Sequence, residues 1–467
     1  MQIYNTASRT KEPFKVPADK KVKYYSCGPT VYEKPTIGNW ASFIRYDILA
    51  RTLRSEGYEV DWVMNITDVG HLVSDADEGE DKLEKTARKE AKTAWQIAEH
   101  YSGYFIGGLD YFNISIPKEK IVRATDYIDK QIDVIKKLET AGHTYITADG
   151  VYFDSTTVKD YGKMAKLDIK GQKTGARISM GGKRHPTDFA LWKFSPKDKK
   201  RDMEWDSPWG RGFPGWHLEC SAIILSELGQ TIDIHAGGIE HIPIHHTNEI
   251  AQSESVTNQP LSRYWVHNNH LKINGQKISK SLDNGYTIED LKNKGFNGKD
   301  FRMFVLNSNY RNEANFTWLA LEEARRKRLE LQAAADLRFQ LGNDAHTETT
   351  KGLTRLRGEI EQALADNLNT SLGVSYLARY VQEFGKEISQ NKDEFIKFLK
   401  WLDDLFGFEL LTSVDITAEQ KRLITERINA REQGDWQVAD NLRSRLKHQN
   451  IGLDDVGRSS LWFRMTD

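Results

Sequence analysis

The sequence predicts an α/β protein. A parallel-sheet domain with an insertion comes first, then an α-helical bundle, then a small C-terminal domain. Three observations lead there. A strand, a helix and a second strand follow one another between Lys21 and Ile66, which is the βαβ unit of a parallel sheet. Residues 317–408 carry helical periodicity almost throughout, with few Gly and no Pro. At 467 residues the chain is too long for one core and suggests about three domains.

The elements follow in order. Lys21 to Ser26 reads as a short strand ending at the Gly28-Pro29 turn signal. Ile37, Ile44, Ile48, Leu49 and Leu53 recur at helical spacing, which predicts a helix from about Ile37 to Ser55. Tyr58 to Ile66 reads as a buried strand, and residues 75–92 as a charge-dense, solvated helix. Thr144 to Phe153 is expected to form one strand. Asp154 to about Lys200 is Gly-rich and is expected to be irregular, part of an insertion spanning about 120–200. Thr231 to His235 predicts a short strand ending in Ala236-Gly237-Gly238, and His245 to Ser255 a helix. The domains are expected at 1–298, 299–412 and 413–467, with a break at Thr412-Ser413 and a last unit of helix plus Gly-rich tail.

Composition narrows the class. The chain is 39% hydrophobic and 28% charged, ordinary for a soluble globular protein. No apolar run approaches the roughly 18 residues needed to span a membrane. The start, Met-Gln-Ile-Tyr-Asn-Thr, lacks a basic region followed by a hydrophobic stretch, so a cytoplasmic protein is expected. The net charge of −1 neither demands nor excludes a nucleic-acid partner. Residues 159–201 hold thirteen Lys or Arg against four Asp. That stretch reads equally as a solvated loop and as a surface that meets phosphates.

The chain has two cysteines, Cys27 and Cys220, each inside a dense motif: Ser26-Cys27-Gly28-Pro29-Thr30-Val31-Tyr32 and Gly215-Trp216-His217-Leu218-Glu219-Cys220-Ser221. A disulfide is disfavoured in a reducing compartment, which leaves inert thiols or half of a metal site. His245 and Glu249 stand at i and i+4, on one helix face. Alone, that pair reads as a surface hydrogen bond. Cys220 lies 25 residues upstream of His245, and Cys27 ends the first strand. Strand ends converge on one sheet edge, so the four residues form a candidate zinc site. Seven of thirteen His lie between His217 and His270, which adds weight. His246 competes for the imidazole role, but one helical step of about 100° turns it off the Glu249 face. Two further segments are suited to phosphate. Pro35-Thr36-Ile37-Gly38-Asn39-Trp40 places a Gly at a helix start. Gly275-Gln276-Lys277-Ile278-Ser279-Lys280-Ser281-Leu282-Asp283-Asn284 is a polar run with two Lys and two Ser that can close on a triphosphate. Each alone is weak, since many helices start near a Gly and many turns are basic.

Together these signals resemble one family. Lys277-Ile278-Ser279-Lys280-Ser281 resembles the KMSKS signature of class I aminoacyl-tRNA synthetases, and Thr36-Ile37-Gly38-Asn39 stands where HIGH belongs. Cys27 to Tyr32, Asn65-Ile66-Thr67-Asp68, Asp206 to Gly210, Pro214 to Ser221 and Asn248 to Glu254 resemble the cysteinyl-tRNA synthetases, and the likeness spans essentially the whole chain. The resemblance implies a Rossmann-like catalytic domain. It implies one zinc ion on Cys27, Cys220, His245 and Glu249, and Mg²⁺ accompanying ATP. It implies Lys280 as the loop's catalytic lysine, aided by Lys277, with Thr36 and Asn39 at the phosphates and Gly38 and Ile278 also at ATP. It places the substrate cysteine among Thr67, Trp216, His235 and Glu240. Implied partners are tRNA(Cys), ATP and L-cysteine, with no membrane, and a monomer is expected. The C-terminal unit would reach the anticodon. It carries nine Lys or Arg against nine Asp or Glu, so charge does not mark an RNA surface there. Trp436 and Trp462 read as core, with base stacking as the alternative. One departure stands out: Thr36 replaces the first His of HIGH, at a cost of about 1–3 kcal/mol of transition-state stabilisation. Two other readings remain: a ligase passing cysteine to a small amino sugar, which needs no anticodon unit, and an inactive RNA-binding paralogue.

Overall fold

The structure, a computed structural model, describes residues 1–15, 18–70, 81–167, 182–196, 201–279, 282, 284–340, 347–384, 392–457 and 459–466. A hairpin, β1 (Gln2–Asn5) and β2 (Thr10–Pro13), precedes β3 (Lys21–Ser26), α1 (Ile37–Ser55) and β4 (Glu59–Ile66). β3 and β4 pair in parallel, so the βαβ unit forms where the spacing predicts it. α1 begins at Thr36, whose backbone is extended and whose N–H donates to Asn39 Oδ1 at 2.9 Å. That is the reciprocal half of a capping box. One turn on, the fully buried Trp40 stacks on Phe105 with ring centroids 5.5 Å apart.

Of the helix expected over 75–92, residues 75–80 lie outside the described residues; the remainder is α2 (Lys82–Glu90), capped by the Asp81 carboxylate. α3 (Ala94–Tyr111), β5 (Ile121–Arg123) and α4 (Ile128–Thr140) follow. The single strand expected at Thr144–Phe153 is instead a hairpin of β6 (Thr144–Ile146) and β7 (Gly150–Phe153). Asp149-Gly150 is a turn dipeptide, and Thr147 N–H donates to Gly150 O at 2.8 Å to close the turn. β8 (Phe189–Phe194) and β9 (Gly212–Pro214) complete a four-stranded antiparallel sheet. β8 thus lies inside the stretch expected to be irregular. Its run Phe189-Ala190-Leu191-Trp192 is buried, and that burial outweighs the Gly-rich surroundings. Residues 168–181 and 197–200 of the basic stretch lie outside the described residues.

α5 (Trp216–Glu227), β10 (Ile232–Gly238), α6 (Thr247–Thr257) and β11 (Ser262–Asn268) finish the main sheet. Its order is β11-β10-β3-β4-β5, parallel throughout. The chain steps one way from β3 to β4 and β5, and the other way from β10 to β11. The C-terminal ends of β3 and β10 therefore flank the point where strand order reverses, where open α/β sheets bind ligands. Cys27 N–H donates to Ala236 O at 3.1 Å across that point.

β12 (Leu271–Ile273), β13 (Gln276–Lys277), α7 (Ile288–Asn293), α8 (Gly298–Leu306) and β14 (Ala314–Phe316) lead into α9 (Trp318–Asp336), α10 (Thr347–Ala365), α11 (Thr370–Phe384) and α12 (Lys392–Phe406). One apolar cluster runs from Trp40 and Ile44 through Phe301 and Leu321 to Ile360 and Leu402, so these helices share the core of α1. The last unit is richer than a helix and tail. α13 (Ala418–Glu432) turns at Gly434, φ 77°, into α14 (Trp436–His448), followed by a hairpin of β15 (Ile451–Val456) and β16 (Ser459–Arg464). Trp462 is buried as expected. Trp436 is not core: as the first residue of α14 it is 63% exposed.

A buried ion cluster ties the two halves together. Asp47 on α1 accepts from Arg51 Nε at 2.7 Å, from Arg302 Nη2, and from Ser115 N–H at 2.8 Å. Arg51 also donates to Asp404 O at 2.9 Å, and Arg302 to Phe406 O, at the end of α12. Burial would raise the Asp47 carboxyl, but the two guanidiniums and Ser115 hold it well below the usual carboxylate range. Asp47→Asn strips two buried cations of their counter-charge, and is expected to cost about 3–5 kcal/mol, read from the chemical-denaturation midpoint. An unshifted midpoint would refute this. Because the folded-state pKa is depressed, the stabilisation is present above about pH 4 and is lost as pH falls. The Asn variant should therefore lose less stability than the parent between about pH 5 and pH 3.

Candidate active site and metal centre

The strand ends at the reversal point gather four donors. Cys27 follows β3, Cys220 lies on α5, and His245 and Glu249 straddle the start of α6. All four are buried, and their ligand atoms lie within 4.8 Å of one another. Cys220 Sγ is 3.5 Å from His245 Nε2, which is 2.9 Å from Glu249 Oε1. A tetrahedral zinc ion with bonds of about 2.0–2.3 Å spaces its ligands about 3–4 Å apart. Glu249 Oε1 is buried without a hydrogen-bond partner despite that short contact. Two thiols, an imidazole nitrogen and a carboxylate oxygen fit a zinc ion by donor chemistry and spacing.

The charges around this set are strongly coupled. Burial opposes charge on His245, yet Glu249 and Cys220 outweigh it and push the imidazole up to about 10. Burial also works against the Glu249 carboxylate, and His235 and His245 overcome it, holding the group well below the usual range. Cys220 is pushed well above the ordinary thiol value by its contact with Cys27, by burial and by Glu249. Cys27 is raised as well: the Cys220 contact lowers it, and burial with the Glu249 and Glu240 charges outweighs that.

His246 does not turn away. Residues Ile242–His246 form a turn of π-helix rather than α-helix, so the 100° step does not apply there. His246 Nε2 lies 3.2 Å from Cys27 Sγ, and its Nδ1 2.7 Å from His267 Nε2. Cys27, His235, His246 and Glu249 make a second, overlapping donor set. His217 Nδ1 lies 3.0 Å from His245 Nδ1 and orients that ring. Sequence reasoning assigned no role to His217 or His267; the clustering of His in this stretch was the available signal.

The donor set faces a cavity of about 290 Å³ lined by Cys27, Cys220, His245, Trp216, Thr67 and Glu240, and reaching Thr36 and Asn39. Trp216 lies against His245, ring centroids 4.8 Å apart. His235 does not line it. It sits fully buried in β10, stacked on Trp265 at 4.5 Å, with Nε2 2.7 Å from Glu249 Oε2. Its position on a central strand sets it against Glu249. Glu240 Oε2 is 3.6 Å from His270 Nδ1 at the cavity mouth.

A second cavity of about 620 Å³ shares Thr36, Asn39 and Glu240 with the first, and Gly38, Lys277, Ile278 and Ser279 are among the residues of its wall. A Cβ on Gly38 would stand 2.7 Å from Ile278 Cδ1, so the glycine lets the loop close over the start of α1. Asn284 braces the loop, accepting from Ser279 N–H at 2.9 Å and donating to Lys277 O at 3.1 Å. Lys280 lies outside the described residues. The Thr36 hydroxyl donates to Asn39 Oδ1 at 2.9 Å. The exposed Asn39 amide nitrogen is therefore the side-chain donor that this end of α1 presents.

A family model described as the class I (C) tRNA synthetase catalytic domain matches residues 13–326, more than half of the chain. The cysteine–tRNA ligase of Treponema denticola is 37% identical, with 100% of both chains covered. Cysteine–tRNA ligase 1 of Burkholderia lata is 38% identical, covering 100% of this chain and 97% of its own. The chain belongs to the cysteine–tRNA ligase family. Among solved structures, a Mycobacterium tuberculosis methionyl-tRNA synthetase in complex with methionyl-adenylate superposes with a TM-score of 0.58 at 14% identity, covering 82% of this chain and 88% of its own. That likeness concerns the class I fold. No helix among the described residues is long and apolar enough to cross a membrane.

The overlapping donor sets make the metal assignment testable. His245→Asn is expected to reduce zinc, measured by metal analysis of the purified protein, from about one equivalent per chain to a small fraction, whereas His246→Asn should retain it. The reverse pattern would assign the ion to the other set.

Proposed function

We propose that the chain ligates cysteine to tRNA(Cys) in two steps. The carboxylate of free cysteine attacks the α-phosphate of ATP, giving cysteinyl-adenylate and pyrophosphate. A ribose hydroxyl at the tRNA 3′ end then attacks the adenylate's carbonyl carbon, forming the aminoacyl ester of cysteinyl-tRNA as the mixed-anhydride bond breaks and AMP leaves. The observation that carries this reading is a pair of adjoining cavities that share Thr36, Asn39 and Glu240: the first meets Cys27, Cys220 and His245 of the buried S₂NO donor set, and the second meets the N-terminus of α1 and the loop of Lys277 to Ser279.

The residues divide the work. Cys27, Cys220, His245 and Glu249 would hold one zinc ion. Zinc, when bound, supplies a soft centre that accepts the substrate thiolate and discriminates against serine, which pocket shape alone does poorly. Trp216 covers the metal wall, and Thr67 and Glu240 line the space for the rest of the amino acid. Gly38 and the α1 N-terminus receive phosphate, with Asn39 as donor and Ile278 packed on Gly38. Thr36 orients Asn39 through both its N–H and its hydroxyl. Lys280 and Lys277 would neutralise charge developing on the phosphates, with Mg²⁺ bound to ATP. The helices and the C-terminal unit would hold tRNA, and the protein would act as a cytoplasmic monomer. Full-length similarity to cysteine–tRNA ligases that includes the C-terminal unit favours neither an amino-sugar acceptor nor an inactive paralogue.

Two substitutions test this reading. Cys220→Ser is expected to lose bound zinc and cysteine-dependent ATP–pyrophosphate exchange together; full exchange without zinc would exclude the metal role. Lys280→Ala is expected to slow exchange by about 10²-fold or more while changing ATP affinity far less. An unchanged rate would exclude Lys280.

A further inference from the structure

We infer that Glu219, a fully buried carboxylate outside the cavity, positions the Thr67 hydroxyl to receive the α-ammonium group of the substrate amino acid. This rests on the reading above and adds a specificity-determining residue to it.

A threonine hydroxyl has one donor and two acceptor sites. Thr67 Oγ1 donates to Glu219 Oε2 at 2.8 Å. It accepts from Asn65 Nδ2 at 3.0 Å. The Asn65 amide is itself fixed, because its Oδ1 accepts from Gly28 N–H at 2.9 Å. The donor and one acceptor site are thereby used, and one acceptor site remains. Thr67 lines the cavity together with Cys27, Cys220 and His245, whereas Glu219 does not. An ammonium group offers three donors and no acceptor. A substrate carboxylate placed there would meet only an oxygen lone pair with a second carboxylate behind it. The α-ammonium thus belongs at Thr67 and the carboxylate toward α1.

Glu219 adds charge to this geometry. It lies in the first turn of α5, where the helix dipole favours an anion. A hydroxyl that donates to a carboxylate in a dry site is a stronger acceptor. The neighbouring carboxylate, Asp68, is committed elsewhere: it accepts from Thr125 N–H at 2.9 Å and from Thr125 Oγ1 at 2.7 Å, and it does not line the cavity. Glu33 and Glu240 do line it, so the test must separate them from Glu219.

The decisive comparison uses L-cysteine and 3-mercaptopropionate, which keeps the thiol and carboxylate but lacks the ammonium. For Glu219→Gln, KM for cysteine in pyrophosphate exchange is expected to rise about tenfold, with kcat changed far less. The inhibition constant of 3-mercaptopropionate should not move, and zinc content should stay at the parent level. Thr67→Val should show the same split, and it tests the count should the first variant fail to fold. Parallel weakening of both ligands would mean that Glu219 merely supports the thiol wall. Unchanged cysteine affinity would assign the ammonium to Glu33 or Glu240. Either result overturns the inference. A parent protein without cysteine-dependent exchange would overturn the functional reading itself, a different and separately visible outcome.

Discussion

The site depends on keeping one carboxylate charged where water cannot reach it. Glu249 is fully buried. An isolated ionised carboxylate there would take up a proton rather than bear the desolvation penalty. His235 holds one of its oxygens at 2.7 Å and His245 lies 2.9 Å from the other. Each histidine is placed in turn: His235 by stacking on Trp265 in a neighbouring strand, His245 by His217 from α5. The packing of three elements around β10 therefore serves one charge balance. Because the balance is tight, removing any member leaves another buried group without its complement, which is the costly case.

That dependence explains what could be read in the sequence. That Cys27, Cys220, His245 and Glu249 come together was legible because ligand chemistry fixes residue type and strand ends converge on one sheet edge. His246 was not, because regular α-helical geometry places it off the Glu249 face, and Ile242–His246 is a π-helical turn. Pro243, a residue suited to a helix's first turn, marked an earlier helix start than His245. His235 was placed at the substrate by the family resemblance alone, and no local sequence signal announced its contact with Glu249.

The same limits apply to the fold. The βαβ unit of β3, α1 and β4 was visible because apolar periodicity and turn residues agree there. The β6–β7 turn carried a clear Asp149-Gly150 signal, but hydrophobic residues on both sides made the segment look continuous. β8 was hidden in a Gly-rich neighbourhood, and only its pairing with β7 and β9 makes it a strand. Trp436 shows the opposite error. Its size suggests burial, yet nothing in the local pattern distinguishes the first residue of α14, where one side of the helix has no neighbouring turn.

α1 connects these themes. Its N-terminal end carries Thr36, Gly38 and Asn39, and its first turn contains no acidic residue. The partial positive charge of that end is thus left for a ligand's phosphates. Further along, Asp47 and Arg51 lock the helix to α8 and to the end of α12. A rigid helix fixed at its middle cannot tilt at its start without breaking a buried ion cluster. Position 36, where the resemblance to HIGH leads one to expect a histidine, holds a threonine on this rigid helix. Thr36 offers less to a phosphate directly, but it fixes the Asn39 amide, and the helix that carries both is held by charges it cannot easily release.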